Sequence, residues 1–586
     1  MCLLLSGGES PLEREEMDNP HLEPLLQKLR PFQREAYDFA TKGSVYSRQW
    51  ARDVGASSSA RKGNKRKREA KDQPINDSDN DDDNFEFDDQ YLGKGRILLA
   101  DEMGLGKTVT SLAIMTHYYE EWPLLILCPA SLRHTWPAEI EKFLPTLPPN
   151  AIYVVQGFDD ADFFVNRHKR ERIRVVVATY SLLQNRSAAA KVLQQFRFRC
   201  VIADESHNLK EKSSQRCQLA MPLLKESNRL VLLSGTPALA RPVELWAQVH
   251  CIAPKLFGAY TPYTKTFCNA RRGRFGWDVS GMSNADQLHQ KLRQIMVRRL
   301  KANVLTELPP KQRSIVPVPI DAQHAKDCRE LLQQIKDTRL SVADLVGQDA
   351  RSADFEARRL LMMAYQQSGI GKASNVAAFL LDWLNGSGTQ KILVFAHHQD
   401  VLDTLEQAVA KKYKGVGHIR IDGSVNSKER AVRVKKFQTN SRTRVALLSM
   451  TAAGVGLTLT AASSVLFAEL HWTPGVLAQA EDRCHRIGQQ NAVNVMYCVC
   501  KDPELSVDNT LWAMIARKVG NLGRVIDGQA VSSKPPRLCK VFGRFLTTCT
   551  GGNHERYHQG GWKQQTGCRV GRRRTHKILC RSILQE

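Results

Sequence analysis

Two glycines ahead of a lysine–threonine pair are the first residues whose order suggests chemistry: Asp101-Glu102-Met103-Gly104-Leu105-Gly106-Lys107-Thr108. A loop of this kind binds phosphate when a strand precedes it and a helix follows. Glycines let backbone N–H groups approach phosphate oxygens, and the helix N-terminus adds its dipole. The apolar run Ile97–Ala100 before the loop and the apolar helical stretch after it supply that setting. Residues 101–108 are therefore expected to bind ATP, with Lys107 on the β/γ-phosphates and Thr108 on Mg2+. Asp101 stands where the usual pattern has its first glycine.

Further along, Asp204-Glu205-Ser206-His207 follows the strand candidate Cys200–Ala203. A carboxylate at the C-terminal end of a strand can hold Mg2+ through water, and a second beside it can orient or deprotonate an attacking water. Asp204 and Glu205 take those two roles in this reading. Ser234-Gly235-Thr236-Pro237 follows the next strand candidate, and its small hydroxyl residues suit hydrogen bonding to the neighbouring carboxylate motif. In the second half, Thr451-Ala452-Ala453-Gly454-Val455-Gly456-Leu457 again follows a strand candidate. Gly454 and Gly456 are expected to let that loop approach nucleotide or backbone closely. Last comes the run Gln479-Ala480-Glu481-Asp482-Arg483-Cys484-His485-Arg486-Ile487-Gly488-Gln489. The spacing predicts Arg483 and Arg486 on one helix face, from which both reach a γ-phosphate as arginine fingers. Gln479 completes the expected catalytic set of Lys107, Asp204, Glu205, Arg483 and Arg486.

Positioning these residues requires strands in series. From Arg96 onward the candidates are Ile97–Ala100, Leu124–Cys128, Val175–Ala178, Cys200–Ala203 and Leu230–Leu233. A polar, helix-rich stretch at about 320–370 intervenes, and the pattern resumes with Lys391–Ala396, His418–Ile421, Val445–Ser449 and Ser464–Phe467. Short apolar strands alternating with amphipathic helices predict parallel sheets with crossover helices. The fold expected is α/β, two tandem parallel-sheet lobes. Upstream, residues 22–43 read as one helical segment. An insert then carries a basic run, including Lys65-Arg66-Lys67-Arg68, and an acidic one from Asp77 to Asp89. Like-charge blocks with few apolar residues cannot bury enough surface to fold, so about 50–90 is expected to be disordered. The basic run resembles a nuclear import signal, which makes the expected location nuclear.

Of the net charge of +24 in 586 residues, the stretch 44–94 contributes −1 and the stretch 526–586 contributes +9. The remaining +16 lies on regions that read as folded, which suits a polyphosphate partner through counterion release. No apolar run approaches the roughly 18 residues that a membrane span needs. Met1-Cys2-Leu3-Leu4-Leu5 is too short for a signal-peptide core. The fourteen cysteines include no CxxC pair and read as reduced intracellular thiols. Cys539, Cys549, His554, His558, Cys568, His576 and Cys580 lack the close ligand pairs of a zinc site, so this end reads as a basic tail contacting nucleic acid.

Taken in order, the motifs resemble superfamily-two helicases of the Swi/Snf type over about residues 28–525. DEMGLGKT, DESH and HRIGQ carry the resemblance, and Asp101 matches that family's own form of the phosphate loop. The resemblance implies two tandem RecA-like lobes and a DNA-dependent ATPase, with Phe32 and Gln33 as the adenine-recognition element. It implies DNA-tracking strips at Leu125–Trp136 and Ala178–Leu183. The organisation expected is an extension at 1–21, an adenine-recognition segment at 22–43, a disordered charged insert at 44–94, an ATP-binding lobe at 95–300, a helical interlobe region at 301–370, a C-terminal helicase lobe at 371–525 and a basic tail at 526–586. Four stretches (234–246, 275–281, 394–403 and 467–483) resemble the annealing-helicase, fork-remodelling branch. That implies a translocase on duplex or forked DNA, independent of sequence, acting with single-strand-binding or replication proteins. The accessory modules usual in that branch, a substrate-recognition domain, a zinc module and a nuclease, are not evident in the sequence. The competing functions are a nucleosome-remodelling ATPase, a scaffold with vestigial motor residues, and a strand-separating helicase.

Overall fold

Apolar runs in the first half of the chain become strands of a single parallel sheet. The computed structural model describes residues 19–43, 93–157, 160, 171–184, 188–273, 276–305, 307–342, 348–413, 415–450 and 457–528. The expected disordered insert, the basic import-like run, Gly454, Gly456 and nearly all of the basic tail lie outside the described residues. The chain divides into two units: 1–237 with 244–263 and 286–304, and 238–243 with 264–285 and 305–586.

The first unit contains β1 (Arg96–Leu99), β2 (Leu124–Cys128), β3 (Ile152–Val154), β4 (Val175–Thr179), β5 (Cys200–Ala203), β6 (Arg229–Leu233) and β7 (Met296–Val297). Their order is β3-β4-β2-β5-β6-β1-β7, every neighbouring pair parallel. All five residues of β2 and of β4 are buried, the near-continuous apolar pattern of strands covered on both faces. β3 and β7 went unread in the sequence because they are three- and two-residue strands at the two sheet edges.

The segment 22–43 is two helices, not one: α1 (Leu22–Leu26) and α2 (Pro31–Lys42). Pro31 forces the break. Its ring excludes helical backbone at Arg30, which sits extended at φ −70°, ψ 156°. Pro31 then opens α2, where its missing N–H costs nothing. Leu22, Leu25 and Tyr37 join Leu112 and Ile114 of α3 (Lys107–His117) in one core. Gly43 and Gly93 lie in contact, so the chain leaves the described fold and re-enters it at one point. Gly95 N–H donates to Ala40 O at 2.9 Å and fixes that point to α2.

The second unit has a six-stranded parallel sheet of β8 (Lys311–Val318), β9 (Ile392–Ala396), β10 (Gly417–Ile421), β11 (Thr443–Ser449), β12 (Ser464–Phe467) and β13 (Val493–Cys500). Its order is β8-β13-β12-β9-β11-β10. β8 falls inside the region expected to be helical. As an edge strand with Lys311, Arg313 and Pro317 it lacks the apolar run of a central strand. Helix α4 (Gln348–Gly386) runs through the expected boundary at 370 and supplies Tyr365 and Val376 to the core of this unit.

Candidate functional site

The phosphate loop turns at Gly104 and Gly106, with φ +87° and +78°, where L side chains are disfavoured. A Cβ on Gly106 would lie 2.3 Å from Gln33 Nε2. Gln33 occupies that space for a reason. Its Nε2 donates to Leu105 O at 2.9 Å, and its Oε1 accepts from Arg30 N–H at 2.9 Å. One buried amide thus ties the start of α2 to the loop ahead of α3. Lys107 opens α3 and curls back, its Nζ donating to Asp101 O at 2.9 Å. Burial holds the Lys107 ammonium below its ordinary range, and the nearby Glu205, Asp101 and Asp204 only partly offset it. Thr108 follows Lys107 in the first turn of α3.

Asp101 is 1% exposed, and its carboxylate is taken up by Arg299. Arg299 N–H and Nε donate to Oδ1, each at 3.0 Å, and Nη2 donates to Oδ2 at 2.7 Å. The Arg299 guanidinium also lies over the Phe32 ring, 5.3 Å from its centroid. Glu102 is engaged likewise, its Oε2 accepting from Lys301 N–H at 2.7 Å. The side chains of Asp101 and Glu102, both expected at the ATP site, anchor the loop to residues 299–301. Sequence reasoning missed Arg299. The available signal was Asp101 itself, since a carboxylate at the end of a buried strand needs a cation.

Asp204 and Glu205 extend from the end of β5. Asp204 Oδ2 accepts from Trp136 Nε1 at 3.0 Å, Oδ1 accepts from Glu205 N–H at 2.8 Å, and its carbonyl accepts from Tyr180 Oη at 2.9 Å. Burial, with the Glu205 charge beside it, pushes the Asp204 carboxyl up to about 7. Trp136 and Tyr180 belong to the two stretches expected to track DNA, so both stretches hydrogen-bond one catalytic candidate. Glu205 sits at φ +48°, a left-handed conformation uncommon for a non-glycine residue. Its Oε2 lies 3.3 Å from His207 Nδ1, which lies 3.1 Å from Ser234 Oγ. Thr236 N–H donates to the same Oγ at 3.3 Å. Ser206 Oγ donates to Gln248 Oε1 at 2.7 Å, and Gln248 Nε2 donates to Pro237 O at 2.7 Å. At Gly235 a Cβ would stand 2.3 Å from Met103 Cγ and 3.4 Å from Lys107 Nζ. Three motifs far apart in sequence therefore meet around Lys107.

The second unit corrects the expected arginine geometry. Helix α5 (Pro474–Glu481) ends before Arg483, so Arg483 and Arg486 do not share a helix face. Glu481 is drawn to β8, accepting from Arg313 at 2.8 and 2.7 Å and from Lys311 at 2.8 Å, while Tyr497 Oη donates to it at 2.5 Å. Burial would raise the Glu481 carboxyl, but Lys311 and Arg313 overcome it and hold it at about 2. Asp482 pairs with Lys311 at 3.0 Å. The chain past the helix is then held by Gln489, whose Nε2 donates to the carbonyls of Thr460, Ala462 and Cys484. Gln479 is buried, Arg483 is 2% exposed, and Arg486 is half-buried with Nη1 donating to Thr458 Oγ1 at 2.8 Å. Among the described residues no His, Cys, Asp and Glu cluster forms a metal site, and no helix is long and apolar enough to cross a membrane.

Residues 86–364 match the family model described as SNF2-related domain, and residues 374–488 match the helicase conserved C-terminal domain. The DNA annealing helicase and endonuclease ZRANB3 of Homo sapiens is 41% identical over 444 residues, covering 74% of this chain and 39% of that protein. The SWI/SNF-related matrix-associated actin-dependent regulator of chromatin subfamily A-like protein 1 of Xenopus tropicalis is 39% identical over 434 residues, covering 74% and 43%. The Caenorhabditis elegans homolog of the latter is 39% identical over 439 residues, covering 74% and 59%. The chain thus spans less than two thirds of the length of each relative.

Proposed function

The chain belongs to the SNF2-related family, and on that footing we propose that it is a DNA-dependent ATPase. It is an ATP-driven translocase on double-stranded DNA that rewinds or remodels forked DNA during replication stress or repair. The observation that carries this reading is the meeting of Lys107, the Asp204–Glu205 pair and the Ser234–Thr236 turn in the first unit. A relative named as a DNA annealing helicase supports the fork-directed task.

In this reading, backbone N–H groups of 104–108 and the Lys107 ammonium hold the ATP phosphates, and Phe32 and Gln33 take the adenine end. Thr108 and Asp204 would hold Mg2+, which supplies charge neutralisation on the phosphates. The residues fit such a cation, because the half-buried Asp204 carboxylate stands beside Glu205, and carboxylate oxygens are the donors that Mg2+ takes. Glu205 orients and deprotonates the attacking water. Gln479, Arg483 and Arg486 of the second unit are the residues proposed to assist hydrolysis. Gly454 and Gly456 remain proposed for the loop after β11. The net positive charge fits a DNA backbone grip that ignores sequence. A nuclear location and single-strand-binding or replication proteins as partners complete the proposal.

The test compares ATPase rates of the full chain on forked, single-stranded, duplex and nucleosomal DNA at one salt concentration. Stimulation by duplex or forked DNA, abolished in Lys107→Ala with DNA binding retained, is the expected result. Much stronger stimulation by nucleosomes assigns a chromatin-remodelling role instead. Full activity in Lys107→Ala rejects the site.

A further inference from the structure

The nucleotide chemistry leaves one built feature unused, within residues 264–285. Strands Arg271–Gly273 and Gly276–Asp278 pair antiparallel, with Arg272 opposite Trp277. The stem is anchored at its base. Ser283 Oγ donates to Thr266 O at 2.6 Å, Asn284 Nδ2 donates to the same carbonyl at 2.9 Å, and Asn269 N–H donates to Ser283 Oγ at 3.0 Å. Asp278 Oδ1 accepts from Ser280 N–H and Oγ at 2.9 and 2.7 Å. On this stem the Trp277 indole is 62% exposed.

Its surroundings are cationic. Lys265 Nζ lies 5.9 Å from the indole centroid, and Arg271 and Arg272 are exposed on the facing strand. Asp278 is already engaged by Arg271 at 3.4 Å. A fixed aromatic face with cations beside it suits a chain that offers phosphates and a flat base together. Duplex DNA offers base edges in its grooves, not base faces. Inside a duplex the base faces are stacked on one another, so an unpaired base is the partner that offers this indole a free face.

We propose that Trp277, with Lys265, Arg271 and Arg272, forms a single-strand contact that stacks an unpaired DNA base while the cations take the adjoining phosphates. The proposal rests on the DNA-translocase reading and adds to it the site that distinguishes forked from plain duplex. The anchored stem presents the ring without an ordering step on binding.

The experiment uses the full chain and measures affinity for a duplex with a single-stranded overhang and for the same duplex with blunt ends, at one salt concentration. Trp277→Ala weakens overhang binding about tenfold, in line with the loss of one stacked base. Its blunt-duplex affinity and blunt-duplex-stimulated ATPase stay at the wild-type level, and Trp277→Phe keeps most of the overhang preference. Lys265→Ala with Arg272→Ala flattens the salt dependence of overhang binding. Equal loss on both DNAs, or no loss on the overhang, overturns the proposal, and the second outcome points to a protein partner for the indole. The translocase reading fails separately, if blunt duplex gives no ATPase stimulation in the wild type.

Discussion

Arg299 and Asp101 form a two-pronged ion pair inside the first unit, Nε to Oδ1 at 3.0 Å and Nη2 to Oδ2 at 2.7 Å. The pair holds the start of the phosphate loop against β7, and the same guanidinium covers Phe32. Removing one partner leaves a buried charge uncompensated, at a cost of about 3–5 kcal/mol. Arg299→Ala is therefore expected to lower the urea midpoint of the first unit and to weaken ATP binding. Wild-type stability in that variant contradicts the role given to the pair.

Gln33 links the loop to α2 through two hydrogen bonds at 2.9 Å. Gln33→Ala should raise KM for ATP by roughly tenfold, about 1.4 kcal/mol, the worth of a buried hydrogen bond. DNA affinity should not change. Gly106→Ala should be more severe, since its Cβ meets Gln33 and the backbone needs positive φ. Steady-state ATPase with separate DNA titration checks both.

Asp204 makes stability depend on pH in an unusual direction. Its folded carboxyl is pushed up to about 7 from an ordinary 3.8. Between these values the native state binds more protons than the unfolded chain, so stability falls as pH rises through that window. The nucleotide-free protein should melt at higher temperature at pH 5 than at pH 7.5, and Asp204→Asn should flatten that slope. Trp136→Phe removes the hydrogen bond that lowers the Asp204 pKa. The acidic limb of its ATPase pH profile should move to higher pH. Unchanged profiles in both variants would rule out Asp204 as the titrating group.

Arg483 and Arg486 should separate by readout. Arg483 is buried where the chain leaves α5, and its carbonyl accepts from Leu459 N–H at 2.9 Å. Arg483→Ala should destabilise the second unit by about 2–4 kcal/mol, as losses of large buried side chains do. Arg486→Ala should leave melting unchanged and, if the proposed role holds, slow hydrolysis at least tenfold with little loss of ATP affinity, as a contact made only in the transition state requires. A large affinity loss at unchanged turnover would contradict this.

The placement of residues 101–108, the Asp204–Glu205 pair and the Ser234–Thr236 turn at strand ends could be read from the sequence, because each is contiguous and follows a buried strand. The central strands were readable for the same reason, as β2, β4 and β9 are buried at every position. Arg299 was not, since its meaning depends on a partner 198 residues away. Trp136 and Tyr180 fell within stretches marked only by resemblance, and their hydrogen bonds to Asp204 have no local signature. The end of α5 escaped because spacing alone continues a helix that the structure ends at Glu481.

The touching backbones of Gly43 and Gly93 form a seam in the first unit. Because the two ends already lie side by side, closing the chain between them carries a loop-closure entropy that grows slowly with its length. Gln33 is fixed to Leu105 by a bond made outside that loop, so the seam and the nucleotide-side contact are separate ties on one helix.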